Sequence, residues 1–309
     1  MRIVFMGTPD FAVETFKRIV ADGHEICGVF TQPDKPQGRK MRLTPPPVKL
    51  AAEEIEATVF QPVTLKDPAV QHTIFKLAPQ VIMVVAYGQI LPEAVLNIPA
   101  LGCINLHASL LPRYRGAAPI QWAVINGELE TGVTTMHMAK GLDTGDMILK
   151  KMVPIGENET YGELHDKLMR VGARLVSETL PLLESGNAPR EAQDNALSSY
   201  APRITRETGL LNFAKPARAV HNLVRGLSPA PGAYTVFHGK ALKIWETRLA
   251  GVLDGHPGEV FAGEKTLDVC CGDGRCVRVL QVQEQGGKRM DTALYLRGHR
   301  LLPGERMGA

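Results

Sequence analysis

Val81-Ile82-Met83-Val84-Val85-Ala86 is the stretch that decides the architecture. A continuous branched apolar run without polar alternation marks a strand buried on both faces, which belongs in a parallel sheet covered by helices. Working back from it, Pro68–Leu77 and Val48–Ala57 read as helices, Glu25–Thr31 as a strand, and Arg2–Met6 as a short apolar strand. Thr8 is the expected cap of a helix running to about Ala21, with Pro9 in its first position. Working forward, Gly102–His107 is the next strand and Ala117–Asn126 a helix. Thr131–Met138 and Met147–Pro154 read as two hairpin-like strands and Glu159–Leu183 as a long helix. Repeated β-α-β order predicts an α/β fold with a mostly parallel, doubly wound sheet and helices on both faces.

Residues 186–208 change character, with Gly, Asn, Pro, Ser, Gln and Thr replacing periodic apolar positions. One helix follows, about Pro216–Arg225. Short strands come next at Ala233–His238, Leu242–Thr247, Gly258–Phe261, Leu267–Cys271 and Val277–Gln283. Strands at this spacing predict a small OB-like β-barrel, a type of fold that can hold nucleic acid. The expected division is a first domain over 1–189, a linker over 190–206 and a second domain over 207–309.

Composition narrows the function classes. No apolar run reaches the roughly 18–20 residues of a membrane helix, and Met1-Arg2-Ile3-Val4-Phe5 enters a strand directly, so a cytoplasmic protein is expected. Of five cysteines, Cys270, Cys271 and Cys276 cluster, but neighbours on a strand face opposite ways and no ligand pair stands nearby. Buried thiols are expected there, and no metal. The net charge of +3 is unevenly spread. Residues 1–204 hold 20 Lys+Arg against 22 Asp+Glu, whereas 205–309 hold 15 against 10, which hints at a polyanionic partner for the second part. Gly7-Thr8-Pro9-Asp10-Phe11 lacks the later glycines of a dinucleotide fingerprint, which argues against a nicotinamide dehydrogenase.

The chemistry is concentrated in Cys103-Ile104-Asn105-Leu106-His107-Ala108-Ser109-Leu110-Leu111-Pro112. Strand alternation points Asn105 and His107 to one side, near the carboxyl end where open α/β sheets bind ligands. An amide donor beside an imidazole can receive a developing oxyanion and move a proton. Gly141-Leu142-Asp143-Thr144-Gly145-Asp146 follows a later strand, and its carboxylate at Asp143 could reach the histidine. Asn105–Gly116 (N-L-H-A-S-L-L-P-x-Y-R-G) together with Gly141–Asp146 (G-L-D-T-G-D) resembles the two signatures of the folate-dependent formyltransferase family, in order and separation. That resemblance implies a Rossmann-like sheet, 10-formyltetrahydrofolate as formyl donor, and Asn105, His107 and Asp143 as the catalytic trio. It also implies that Ser109, Leu110, Leu111 and Pro112 contact the folate. Val85–Leu91, with Tyr87, Gly88 and Ile90, would line the pterin pocket. Around His137-Met138-Ala139-Lys140 the chain departs from relatives that more often place an acid before the glycine.

The trio does not name the acceptor; an amino sugar or a purine precursor would serve the same chemistry. Lys35, Arg39, Lys40, Arg42 and Lys49 lie in one long connection with no acidic residue between 35 and 49. Such a loop is expected to be mobile until phosphates neutralise it. With the basic second domain and the T-Q-P-D-K-P (Thr31–Pro36) segment, the chain is similar to the branch of the family that formylates charged initiator tRNA. The resemblance implies methionyl initiator tRNA as partner, with Arg39, Lys40 and Arg42 as loop contacts, and a monomeric enzyme.

Overall fold

The computed structural model describes residues 1–38 and 41–308. By compactness these form two units: the first holds 1–116, 132–153 and 165–200, the second 117–131, 154–164 and 201–309.

The first unit is built on a seven-stranded sheet. Its strands are β1 (Arg2–Gly7), β2 (Glu25–Phe30), β5 (Val59–Phe60), β6 (Val81–Val85), β7 (Cys103–His107), β9 (Glu130–His137) and β10 (Met147–Pro154). Three short strands lie off it: β3 (Lys35–Gln37), β4 (Arg42–Thr44) and β8 (Arg115–Gly116). The order across the sheet is β10-β9-β7-β6-β1-β2-β5, with β7 through β5 parallel and β9 antiparallel to β7. All five residues of β6 are buried, as the branched run requires. The chain leaves β1 towards β2 on one side and returns through β6 on the other, so a crevice opens at the carboxyl ends of these strands.

Helices cover both faces. On one lie α1 (Phe11–Ala21) and α6 (Tyr161–Glu184), where Phe5 meets Phe16 at 5.2 Å between ring centres and Thr135 bonds Thr179. α6 opens with a capping box: Thr160 N–H donates to Glu163 at 2.8 Å and Glu163 N–H to the Thr160 hydroxyl at 3.3 Å. On the other face Val4, Met6, Ile82 and Val84 share a core with Ile74 of α3 (Pro68–Lys76) and Val95 of α4 (Glu93–Leu96). α2 (Pro47–Glu53) completes the helices that lie wholly in this unit.

α1 does not begin as the sequence reading expected. Asp10 is its N-cap, while the Thr8 hydroxyl donates to the Tyr87 carbonyl at 2.8 Å and accepts from Gln32 N–H at 3.3 Å. The residue that looked like a helix cap ties together the loops that follow β1, β2 and β6.

The second unit holds α5 (Pro119–Ile125), α7 (Ala217–Gly226) and α8 (Thr292–Gly298). After a two-residue strand β11 (Tyr200–Ala201) come β12 (Ala233–Phe237), β13 (Lys240–Val252), β14 (Val260–Ala262), β15 (Leu267–Cys270), β16 (Arg275–Glu284) and β17 (Met290–Asp291). These last six pair antiparallel in the row β12-β13-β16-β15-β14, with β17 on β16. Register shifts in β13 bend the sheet, and inward residues of the five strands in the row join one core with Val220 and Val224 of α7. The second domain is thus antiparallel β, as expected. Cys270, Cys271 and Cys276 are buried free thiols. No helix among the described residues is long and apolar enough to cross a membrane.

Candidate active site

β7 presents Asn105 and His107 on the face shared with Met136 and Thr134 of β9, their pairing partners. Both are nearly buried, at 9% and 6% exposure. Leu106, between them, points the other way and packs against α6 at Gly172. Among the described residues the Asn105 amide has no hydrogen-bond partner from the protein. His107 Nε2 lies 2.9 Å from the Tyr114 carbonyl oxygen. A carbonyl only accepts, so the ring carries a proton on Nε2 and leaves Nδ1 as the basic atom. Nδ1 faces Asp143 Oδ2 at 3.7 Å.

Asp143 is held there by its loop. Its backbone is left-handed, with φ of 52°, and Oδ2 accepts from Gly116 N–H at 2.8 Å. Gly145 lets the loop close, because a Cβ at that position would stand 1.7 Å from the His137 carbonyl oxygen. Burial and the nearby Arg190 guanidinium push the His137 imidazole below its usual range, against the pull of Asp146. The three residues expected to act together are therefore brought together.

The segment after β7 is a built turn. The Ser109 hydroxyl donates to the Arg113 carbonyl at 2.6 Å, and the Ser109 carbonyl accepts from Thr134 at 2.7 Å. Leu111 is buried with Met136 and Met147, while Leu110 and Pro112 are half-buried. Tyr87 is buried in the core; its hydroxyl has no partner and burial pushes it up to about 12. Ile90, by contrast, is 87% exposed.

The donor set of the crevice fits a flat, hydrogen-bonding heterocycle. Gln32 Nε2 is buried without a hydrogen-bond partner and lies beside Gly88, whose φ of 89° favours glycine. In the sequence reading Gln32 stands only as part of the T-Q-P-D-K-P segment and has no role in the folate site.

Within the basic connection β3 pairs antiparallel with β4, with Lys35 opposite Thr44. Arg42 is exposed there, whereas Arg39 and Lys40 lie outside the described residues. Lys49 does not belong to a free cluster: its Nζ binds Asp34 at 2.9 Å and Gln61 at 3.0 Å. Its acid stands one residue upstream of the stretch that contains only bases.

Comparison with known proteins agrees with this geometry. The profile of the family described as formyl transferase matches residues 1–180, and that of the formyl transferase C-terminal domain matches 203–300. A methionyl-tRNA formyltransferase of Geobacter sulfurreducens is 49% identical over 309 residues, spanning 100% of this chain and 97% of the relative. One from Pelotomaculum thermopropionicum is 51% identical over 304 residues, with 96% of each chain covered. Among solved structures, the sugar 3N-formyltransferase WlaRD shares the fold at a TM-score of 0.70 and 21% identity, over 93% of this chain and 99% of that one. HypX from Aquifex aeolicus, in complex with tetrahydrofolic acid, does so at 0.67 and 18%, over 96% and 47%. On the strength of its full-length relatives and the two matched domains, this chain belongs to the methionyl-tRNA formyltransferase family.

Proposed function

We propose that the chain transfers the formyl group of 10-formyltetrahydrofolate to the α-amino group of methionyl initiator tRNA, in support of translation initiation. The observation that carries this reading is the His107 ring, with Nε2 engaged by the Tyr114 carbonyl and Nδ1 facing the Asp143 carboxylate. The folate, when bound, supplies an activated formyl carbon and a nitrogen leaving group. A free α-amino group has a pKa near about 8, so part of it is neutral and nucleophilic at physiological pH. As it attacks, the Asn105 amide donates to the oxygen that gains negative charge, as a preorganised donor. His107 takes a proton at Nδ1, and the resulting imidazolium pairs with Asp143. It then donates that proton towards the leaving nitrogen.

Ser109–Pro112 shape the wall against which the folate rests, Gly88 and Ile90 border the pterin, and Tyr87 acts through its backbone beside Thr8. Arg39, Lys40 and Arg42 meet tRNA phosphates, and the basic domain over 207–309 holds the tRNA body while 1–189 carries the chemistry. Five free cysteines support a reducing, cytoplasmic setting.

The test is an assay of the purified full chain with formyl-tetrahydrofolate and charged initiator tRNA, alongside Asn105→Ala. Turnover should fall about 100-fold or more in the variant while tRNA affinity holds. Equal turnover on a small amino sugar, insensitive to salt, would sink the acceptor assignment.

A further inference from the structure

Residues 190–199 have the composition of a linker, yet they are bonded to both sides of the catalytic pair. Glu191 and Met147 exchange backbone hydrogen bonds at 2.8 and 3.0 Å, and Arg190 pairs with Asp146 at 3.5 Å. Gln193 is the centre of the arrangement. Its Nε2 donates to the carbonyls of Asp143 and Gly145, both at 2.8 Å, using both of its protons. Its Oε1 accepts from Arg115 Nε and Nη2 at 2.9 and 2.7 Å. Six residues on, the Ser199 hydroxyl accepts from Tyr114 N–H at 2.8 Å, and its carbonyl accepts from Arg115 N–H at 2.9 Å.

These bonds converge on chemistry. Tyr114 is the residue whose carbonyl fixes the His107 ring, and Asp143 is the carboxylate facing that ring. Both have left-handed backbones, φ 58° and 52°, a conformation uncommon for residues that carry a Cβ and most unusual at a bulky side chain such as Tyr114. We infer that residues 190–199 form a positioning strap, in which Gln193 at one end and Ser199 at the other set the distance between His107 and Asp143. Gln193 touches no reacting atom; it acts through Asp143. This inference rests on the function proposed above, in which that pair moves the proton.

The test uses the full-length protein. Gln193→Glu keeps the acceptor for Arg115 and the side-chain size but loses both donors to the Asp143 loop. It should lower kcat about 10- to 100-fold, with KM for folate and tRNA within about twofold and a wild-type melting temperature. Ser199→Ala, a smaller change at the far end, should lower kcat about fivefold in the same pattern. Combined with Asp143→Asn under single-turnover conditions, Gln193→Glu should add less than about threefold, because the two act as one unit. A full additional loss in that double variant, or wild-type kcat in both strap variants, overturns the inference. Hydrogen exchange gives a readout independent of turnover. Exchange over residues 141–147 should quicken in Gln193→Glu and stay unchanged elsewhere in the sheet; unchanged exchange in the loop also overturns the strap. An inert wild type with a quickened loop would instead count against the functional reading.

Discussion

The Nε2–H of His107 donates to the Tyr114 carbonyl at 2.9 Å, so the proton-accepting atom of the ring is Nδ1, 3.7 Å from the Asp143 carboxylate. His107→Gln retains an amide donor but cannot take or return a proton. Its kcat should fall by about 100-fold or more, in the range general acid–base catalysis supplies, with little change in the unfolding midpoint. Steady-state kinetics and urea titration check this together.

The β3–β4 pair and its neighbours make opposite predictions for two cations. Arg42 is exposed and assigned to tRNA phosphate; Lys49 is engaged by Asp34 and Gln61. Arg42→Ala should weaken tRNA binding and reduce the slope of log K against log salt by about 1. Lys49→Ala should leave that slope at its wild-type value. Binding measured across a salt series separates them.

Removal of the Tyr87 hydroxyl should do no harm. That oxygen is buried without a partner, so the folded state bears a desolvation cost that Tyr87→Phe relieves. Stability is expected to stay level or rise by about 1 kcal/mol, with folate KM unchanged. A raised KM for folate would instead assign the hydroxyl to the cosubstrate.

A fourth prediction concerns pH and the second unit. His221 is buried with Nδ1 2.9 Å from the Thr247 hydroxyl, and burial depresses its pKa from 6.5 to about 4. The unfolded chain therefore binds this proton more readily than the folded one. The contribution is present in full above about pH 6.5 and is lost as pH falls towards about 4, to a total of about 3 kcal/mol. Urea midpoints across that window should drop in wild type and flatten in His221→Gln.

The buried parallel strand β6 and the shared face of Asn105 and His107 were legible because a branched apolar run and period-two alternation are local properties. What was missed is non-local. Thr8 reads as a cap by its neighbours, yet its hydroxyl is taken by Tyr87, 79 positions away. Lys49 reads as unpaired because its acid lies 15 positions back. Gln193 reads as linker, since polar composition says nothing of the carbonyls 50 and 48 positions earlier to which its amide donates. Short elements such as β5 and α4 have too few residues to display a period.

The left-handed backbone at Asp143 governs which inactive form of the protein can be used to trap its substrates. Aspartate and asparagine tolerate that conformation better than other side chains that carry a Cβ. Asp143→Asn therefore keeps both the turn and an oxygen for Gly116 N–H, and removes only the negative charge opposite His107. Asp143→Ala changes charge, turn and hydrogen bond at once, so its kinetics would mix a chemical defect with a misshapen loop. For capturing a complex with both substrates in place, the amide is the replacement of choice.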